Sequence, residues 1–127
     1  MEQIVKSSDI VGIWEAKNKT KIEVFKAGIE YQSRLLYAVK AMEKDGTTFK
    51  KDEHNPDLAL RSRSLQNTVY ITGMVLDEEK WTGGHLYYSP SGASYKCHCK
   101  IKEGKLHVRN YILSPLFGST LVFTRVH

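Results

Sequence analysis

A chain of 127 residues has the length of one domain, residues 1–127, and its 41% hydrophobic against 26% charged residues excludes a disordered or low-complexity segment. A chain this long buries roughly two thirds of its unfolded surface, enough for a core without disulfides or metal. The formal net charge of +5 comes with no recognised basic motif, so it reads as a solvated surface, and nucleic acid is not an expected partner.

At the amino terminus, Met1-Glu2-Gln3 is polar and acidic and no apolar stretch follows, so no signal peptide is expected in this chain. Two readings remain, a cytoplasmic chain or one whose signal has been removed. No apolar run approaches the roughly 20 residues that cross a bilayer. Ile10 to Ala16 reads as the first strand, with Ile10, Gly12 and Trp14 on one parity. Thr20 to Lys26 is the second, with Ile22 and Val24 on one face. Ala27-Gly28 is a tight turn of the kind glycine permits. Ile29 to Val39 follows, with Ile29, Tyr31, Ser33, Leu35 and Tyr37 in register.

Lys40 to Asn67 loses the alternation and is long for a connection in a compact domain, so it is expected to cap something. Within it, Asn55-Pro56-Asp57 looks like a helix start, Asn as N-cap and Pro at the first helical position. A short helix over about 56–65 places Leu58 and Leu65 on one side and Arg61 away from it. Strands resume at Thr68 to Leu76, with Val69, Ile71, Gly73 and Val75 on one parity, and at Lys80 to Tyr88. Gly83-Gly84 inside the latter marks a bend or bulge. Ser89-Pro90-Ser91-Gly92 is a type I turn signature.

The clearest element is the hairpin from Gly92 to Ile112. Tyr95, Cys97, Cys99 and Ile101 share one parity, and Lys96, His98, Lys100 and Lys102 take the other. After Glu103-Gly104, Leu106, Val108 and Ile112 alternate with Lys105, His107 and Arg109. Such a hairpin has one dry face and one cationic face. Ser114-Pro115 breaks it, and Phe117 to Val126 is the last strand. About eight antiparallel strands must bury one face, most simply by closing into a barrel.

Cysteine thiolates with imidazoles would suit zinc or copper. The alternation sends Cys97 and Cys99 one way and His98 the other. Pairing Lys102 with Lys105 sets His107 opposite Lys100, on the His98 side, and the Pro90-Ser91 turn brings His85 there too. Three exposed histidines among lysines is preferred to a metal site at His85, His98 and His107, and no metal or cofactor is expected. The cysteines, with Cα atoms roughly 6.5–7 Å apart along one strand, read as reduced core residues. No Gly-x-Ser-x-Gly elbow and no inward pair of carboxylates is visible.

Several blocks together resemble a bacterial family known as domain of unknown function 2147. They are Ile10-Val11-Gly12-Ile13-Trp14, Asn55-Pro56-Asp57-Leu58-Ala59-Leu60-Arg61-Ser62-Arg63, Trp81-Thr82-Gly83-Gly84-His85-Leu86-Tyr87, Ser91-Gly92-Ala93-Ser94-Tyr95-Lys96-Cys97, Leu106-His107-Val108-Arg109, Phe117-Gly118-Ser119-Thr120 and Thr124-Arg125-Val126. Here Ser64, Asn110, Ser119 and Phe123 stand where the family favours proline, glycine, arginine and tryptophan. Its members usually carry secretion signals, so the resemblance implies a periplasmic or secreted protein after signal removal. It implies no activity, because none is assigned to the family. Gly12-x-Trp14 with Arg125 on the last strand is also similar to the signature of lipocalins and fatty-acid-binding proteins. In those barrels the tryptophan closes one end and the arginine stacks on it.

The expected fold is therefore all-β, a single lipocalin-like (calycin) antiparallel barrel of about eight strands with one short helix near 56–65. The leading function is non-catalytic binding of a small apolar or amphipathic ligand inside the barrel. Tyr31, Tyr37, Leu86 and Tyr95 line the interior, as does Tyr88 or Tyr87. Arg61 and Arg63 sit near the opening, and Gly12, Trp14 and Arg125 close the other end. The arginines either recognise a carboxylate or phosphate head group or pair with neighbouring acids. So many large inward side chains favour a small cavity or none. The alternative is a filled barrel acting as an interaction module. Its outer strip, Lys96, His98, Lys100, His107 and Arg109, would then contact an acidic protein or anionic surface. An enzyme ranks third, since only residues distant in sequence could assemble its site.

Overall fold

The computed structural model of the chain describes residues 4–126. Met1, Glu2 and Gln3, on which the reading of the amino terminus rests, lie outside the described residues. Eight strands run in chain order around a closed antiparallel barrel, and the last pairs with the first. They are β1 (Gly12–Ala16), β2 (Lys21–Ala27), β3 (Glu30–Tyr37), β4 (Val69–Asp77), β5 (Lys80–Tyr88), β6 (Ala93–Lys102), β7 (Lys105–Tyr111) and β8 (Gly118–Val126). Closure leaves no strand edge unpaired. The helical elements among the described residues are three short 3₁₀ turns, at Ser7–Ile10, Val39–Ala41 and Leu58–Leu60.

Alternation dictates the register of the best-patterned hairpin. Lys102 faces Lys105, Lys100 faces His107 and Cys99 faces Val108 across the Glu103-Gly104 turn. Cys97 and Cys99 are free and buried in the barrel. Burial pushes the Cys97 thiol up to about 12 and raises that of Cys99 well above its ordinary value. The interior is packed around Trp14, Trp81 and Phe123, with Ile22, Met74 and Leu106 among the fully buried residues between them.

The inward rows depart from strict alternation where bulges intervene. Gly73 (φ 77°) and Gly83 (φ 78°) stand against each other in β4 and β5, and a Cβ on Gly73 would lie 3.0 Å from the Gly83 carbonyl oxygen. Left-handed backbone is cheap only for glycine. The register shifts by one residue on the outer side of each strand, β4 against β3 and β5 against β6. Met74 therefore turns inward, whereas Val75 and, further up the strand, Val69 are exposed, contrary to the unbroken row expected from alternation. A further shift in β3 sets Tyr37 opposite Lys21 rather than beside Ile22, so Tyr37 falls on the outward row. The β3–β4 register shifts again between Ser33 and Arg34, which leaves Tyr70 as the extra residue of β4.

Several boundaries differ from the sequence reading, and β7 stops at Tyr111, so Ile112 is exposed in the loop instead of continuing the dry face of Leu106 and Val108. Ile10 belongs to a 3₁₀ turn, and β1 begins at Gly12. Ile29 lies in the β2–β3 turn and is 92% exposed. The helix expected over 56–65 shrinks to Leu58–Leu60, with Asp57 rather than Asn55 as its N-cap. The Asn55 side chain accepts the Asp57 N–H at 2.8 Å, and the Asp57 side chain accepts the Ala59 N–H at 3.0 Å. Such local bonds compete with helix formation. The segment instead folds back on itself: the Asp52 N–H reaches the Arg63 carbonyl at 2.9 Å and the Leu65 N–H the Lys50 carbonyl at 3.0 Å. Leu58 is exposed and Leu65 buried, so the two share no face.

Candidate ligand-binding site

The antiparallel order gives the barrel two unlike ends. The Ser7–Ile10 turn sits at one, with the short β2–β3, β4–β5 and β6–β7 turns. The other carries the β1–β2 turn, the 38–68 excursion, the β5–β6 turn and the β7–β8 loop.

The first end is sealed. Ile10 is fully buried, and the turn that carries it is tied down by four side chains. The Trp14 indole N–H donates to the Ile10 carbonyl at 2.9 Å, and that of Trp81 to the Ser7 carbonyl at 3.0 Å. The Tyr31 hydroxyl donates to Ser7 Oγ at 3.3 Å. Arg125 donates to the carbonyls of Val11 at 2.8 Å and Asp9 at 2.7 Å, with its guanidinium carbon 4.2 Å from the Trp14 ring centroid. Gly12 leaves the room: a Cβ there would stand 2.7 Å from Arg125 Nη1. Gly12, Trp14 and Arg125 thus meet at this end.

The second end holds a cavity of about 390 Å³, in the lower part of the range for small-molecule sites. Its walls come from Thr20 after β1, Leu35 on β3, Ala38 to Ala41 at the start of the excursion, Tyr70 on β4, and Tyr87 to Pro90 at the end of β5. The lining is mostly apolar, with a few hydroxyls. Tyr70 reaches it because the β3–β4 shift turns its ring towards the core. Burial above all, with the nearby thiols of Cys97 and Cys99, raises the Tyr70 ionisation. Its phenol is therefore held neutral and able to donate a hydrogen bond. At the rim, Lys40 Nζ donates to the Tyr88 hydroxyl at 3.1 Å and lies 5.9 Å from the ring centroid.

The excursion is latched over this end by Asp52, whose side chain is wholly buried. It accepts from the Tyr87 hydroxyl at 2.6 Å, from Asn55 Nδ2 at 2.9 Å, and from Arg63 Nε at 3.0 Å and Nη2 at 2.9 Å. Burial alone would raise the Asp52 carboxyl, but these donors outweigh it and hold the group below the usual carboxylate range. Burial first, then the Asp52 carboxylate, pushes the Tyr87 phenol up to about 12. Arg61 is exposed and donates to the Asn55 carbonyl at 2.7 Å. Of the two readings for the arginines, pairing with a neighbouring acid is what Arg63 does.

The structure thus scatters the residues expected inside the barrel. Tyr31 belongs to the sealed end, Leu86 is buried in the packed middle, Tyr95 is half-buried opposite it, and Tyr37 lies on the outward row. None of the four lines the cavity. Tyr70, Leu35, Thr20 and Lys40 were not singled out by the sequence. Leu35 carried a signal in its inward parity, whereas Tyr70 carried none, because strict alternation assigns it outward. Among the described residues no group of three His, Cys, Asp or Glu side chains could hold a metal ion, and no helix is long and apolar enough to cross a membrane.

The sequence model of an uncharacterised protein family conserved in bacteria, DUF2147, matches residues 12–125. The chain belongs to the DUF2147 family. The match starts at Gly12 and ends at Arg125, the two residues that meet at the sealed end. Among solved structures, protein HP1028 from the human pathogen Helicobacter pylori, described as belonging to the lipocalin family, aligns with a TM-score of 0.80 at 21% identity. The alignment covers 93% of this chain and 83% of that one. At that identity the likeness is one of fold. No curated protein matches the chain.

Proposed function

We propose that this DUF2147 protein binds a small apolar or amphipathic molecule, without catalysis, in the cavity at the open end of its barrel. The observation that carries this reading is the contrast between the two ends. One is closed by Ile10 and the Trp14–Arg125 stack, so that the hollow of about 640 Å³ against Asp9, Val11 and Arg125 is open and mostly polar, and the other keeps about 390 Å³ between mostly apolar walls. The bound molecule sits under the excursion rather than deep in the barrel, where Trp14, Trp81 and Phe123 fill the space. Tyr70 and the Thr20 hydroxyl supply polar contacts, and Lys40 stands at the rim. An envelope location, periplasmic or secreted, is part of the proposal and follows from the resemblance to exported relatives.

Displacement of a fluorescent fatty-acyl probe tests the site. The probe is expected to bind the wild type and to be excluded by Ala38→Trp, which fills the cavity from its wall. Equal probe binding by the two proteins would refute the assignment.

A further inference from the structure

The net charge is not spread evenly over the barrel. Residues 93–126, which form β6, β7 and β8, hold six of the nineteen lysines and arginines but, in Glu103, one of the fourteen acids. These three strands therefore carry the whole formal excess of +5, with Lys102, Lys105 and Arg125 towards the sealed end and Lys96 and Arg109 towards the other. Lys96, Lys100 and Arg109 belong to the outward rows of the β6–β7 hairpin.

The loop that joins β7 to β8 has the opposite character. Ile112, Leu113, Leu116 and Phe117 are 64%, 85%, 83% and 72% exposed, and the loop holds no charged residue. It is nevertheless built. Arg109 Nε donates to the Pro115 carbonyl at 2.9 Å, and the Phe117 N–H to the Ser114 carbonyl at 2.9 Å. Four large apolar side chains held outward at one tip are more than the scattered exposure normal for a soluble surface.

We infer that residues 112–117 form a docking tip that enters an anionic lipid surface while Lys96 and Arg109, the cations of β6 and β7 nearest the tip, meet its head groups. A protruding apolar tip beside a cationic surface is the combination that interfacial binding uses, apolar burial plus attraction to anionic lipid. A second copy of the chain is the poorer occupant, because two tips meeting would bring Lys96 and Arg109 of both copies together. The tip shares its end of the barrel with the cavity, so docking brings the mouth to the bilayer. The inference stands whether or not the cavity binds a ligand.

Sedimentation with phosphatidylglycerol–phosphatidylcholine vesicles tests it. The wild type is expected to pellet with these vesicles and to stay in solution with phosphatidylcholine alone, and added salt should release it. The double variant Leu116→Asp/Phe117→Asp should lose binding by about tenfold or more, with an unchanged thermal melt because both sites are exposed. In Phe117→Trp, indole emission should shift to the blue when anionic vesicles are added. A wild type that stays in the supernatant, or a double variant that pellets as well as wild type, overturns the inference. So does a dimer, seen by sedimentation velocity without lipid, that the double variant abolishes, since the tip would then be a contact between copies.

Discussion

The Arg125 guanidinium lies 4.2 Å from the centre of the Trp14 ring and bonds the carbonyls of Asp9 and Val11, so one side chain joins the last strand, the first strand and the turn that seals the barrel. A cation–π contact is worth about 0.5–2 kcal/mol and a hydrogen bond from a charged group about 1.5–3. Arg125 is partly exposed, which lowers both. Arg125→Ala is expected to cost about 2 kcal/mol in urea unfolding. Gly12→Ala should be comparably harmful, because its Cβ would push Arg125 away and its backbone, at φ 139°, suits glycine. A variant as stable as wild type at either position would remove the seal from the explanation of the fold.

The latch over the other end depends on ionised Asp52. Its folded-state pKa is depressed, so its stabilisation is complete above the unfolded value near 3.9 and is lost as pH falls through the folded one. Arg63 is 38% exposed, so the pair is worth less than a fully buried one. Asp52→Asn should cost about 2 kcal/mol at neutral pH. The difference from wild type should narrow as pH drops below about 4. Denaturant titrations of both proteins across that range check the sign, and a gap that widens with acid would contradict it.

Cys97 and Cys99 should behave as core residues. With the Cys97 thiol raised to about 12 and that of Cys99 raised well above its ordinary value, neither offers thiolate at pH 8. An aromatic disulfide reagent is expected to label neither thiol in the native protein and both after denaturation. Prompt native labelling would mean that the barrel opens on that side.

Tyr70 and Tyr31 separate the cavity from the seal. Tyr70→Ala removes part of the cavity wall and is expected to weaken binding of the fatty-acyl probe by about tenfold. Tyr31→Ala cuts a tie to Ser7 and should lower the unfolding midpoint while leaving probe affinity unchanged. The reverse pattern would place the ligand at the wrong end.

How much was legible depended on whether the backbone kept its period. The pairing of the β6–β7 hairpin could be read from its alternating charges and the Glu103-Gly104 turn, although Ile112, expected on the dry face, lies exposed beyond the end of β7. The pairing of the first and last strands, which sets Trp14 opposite Arg125, was legible too, since those strands must meet in a closed barrel. The cavity was not. Tyr70 points in and Tyr37 out only because single-residue shifts reverse parity, and alternation cannot register an extra residue. Gly83-Gly84 hinted at one bulge, but its partner Gly73 passed for an ordinary strand residue. Asn55-Pro56-Asp57 resembled a helix start because the same side chains that cap helices also close Asx turns. Which of the two forms was decided by Asp52 and Arg63, whose meeting no local pattern announces.

The central claim is that the open end holds a molecule, and the native mass of the protein purified from its own host tests it most directly. A reproducible excess of a few hundred daltons over the denatured mass, absent from Ala38→Trp, is the predicted result. Identical native and denatured masses, in a protein that also fails to take up the fatty-acyl probe, would contradict it.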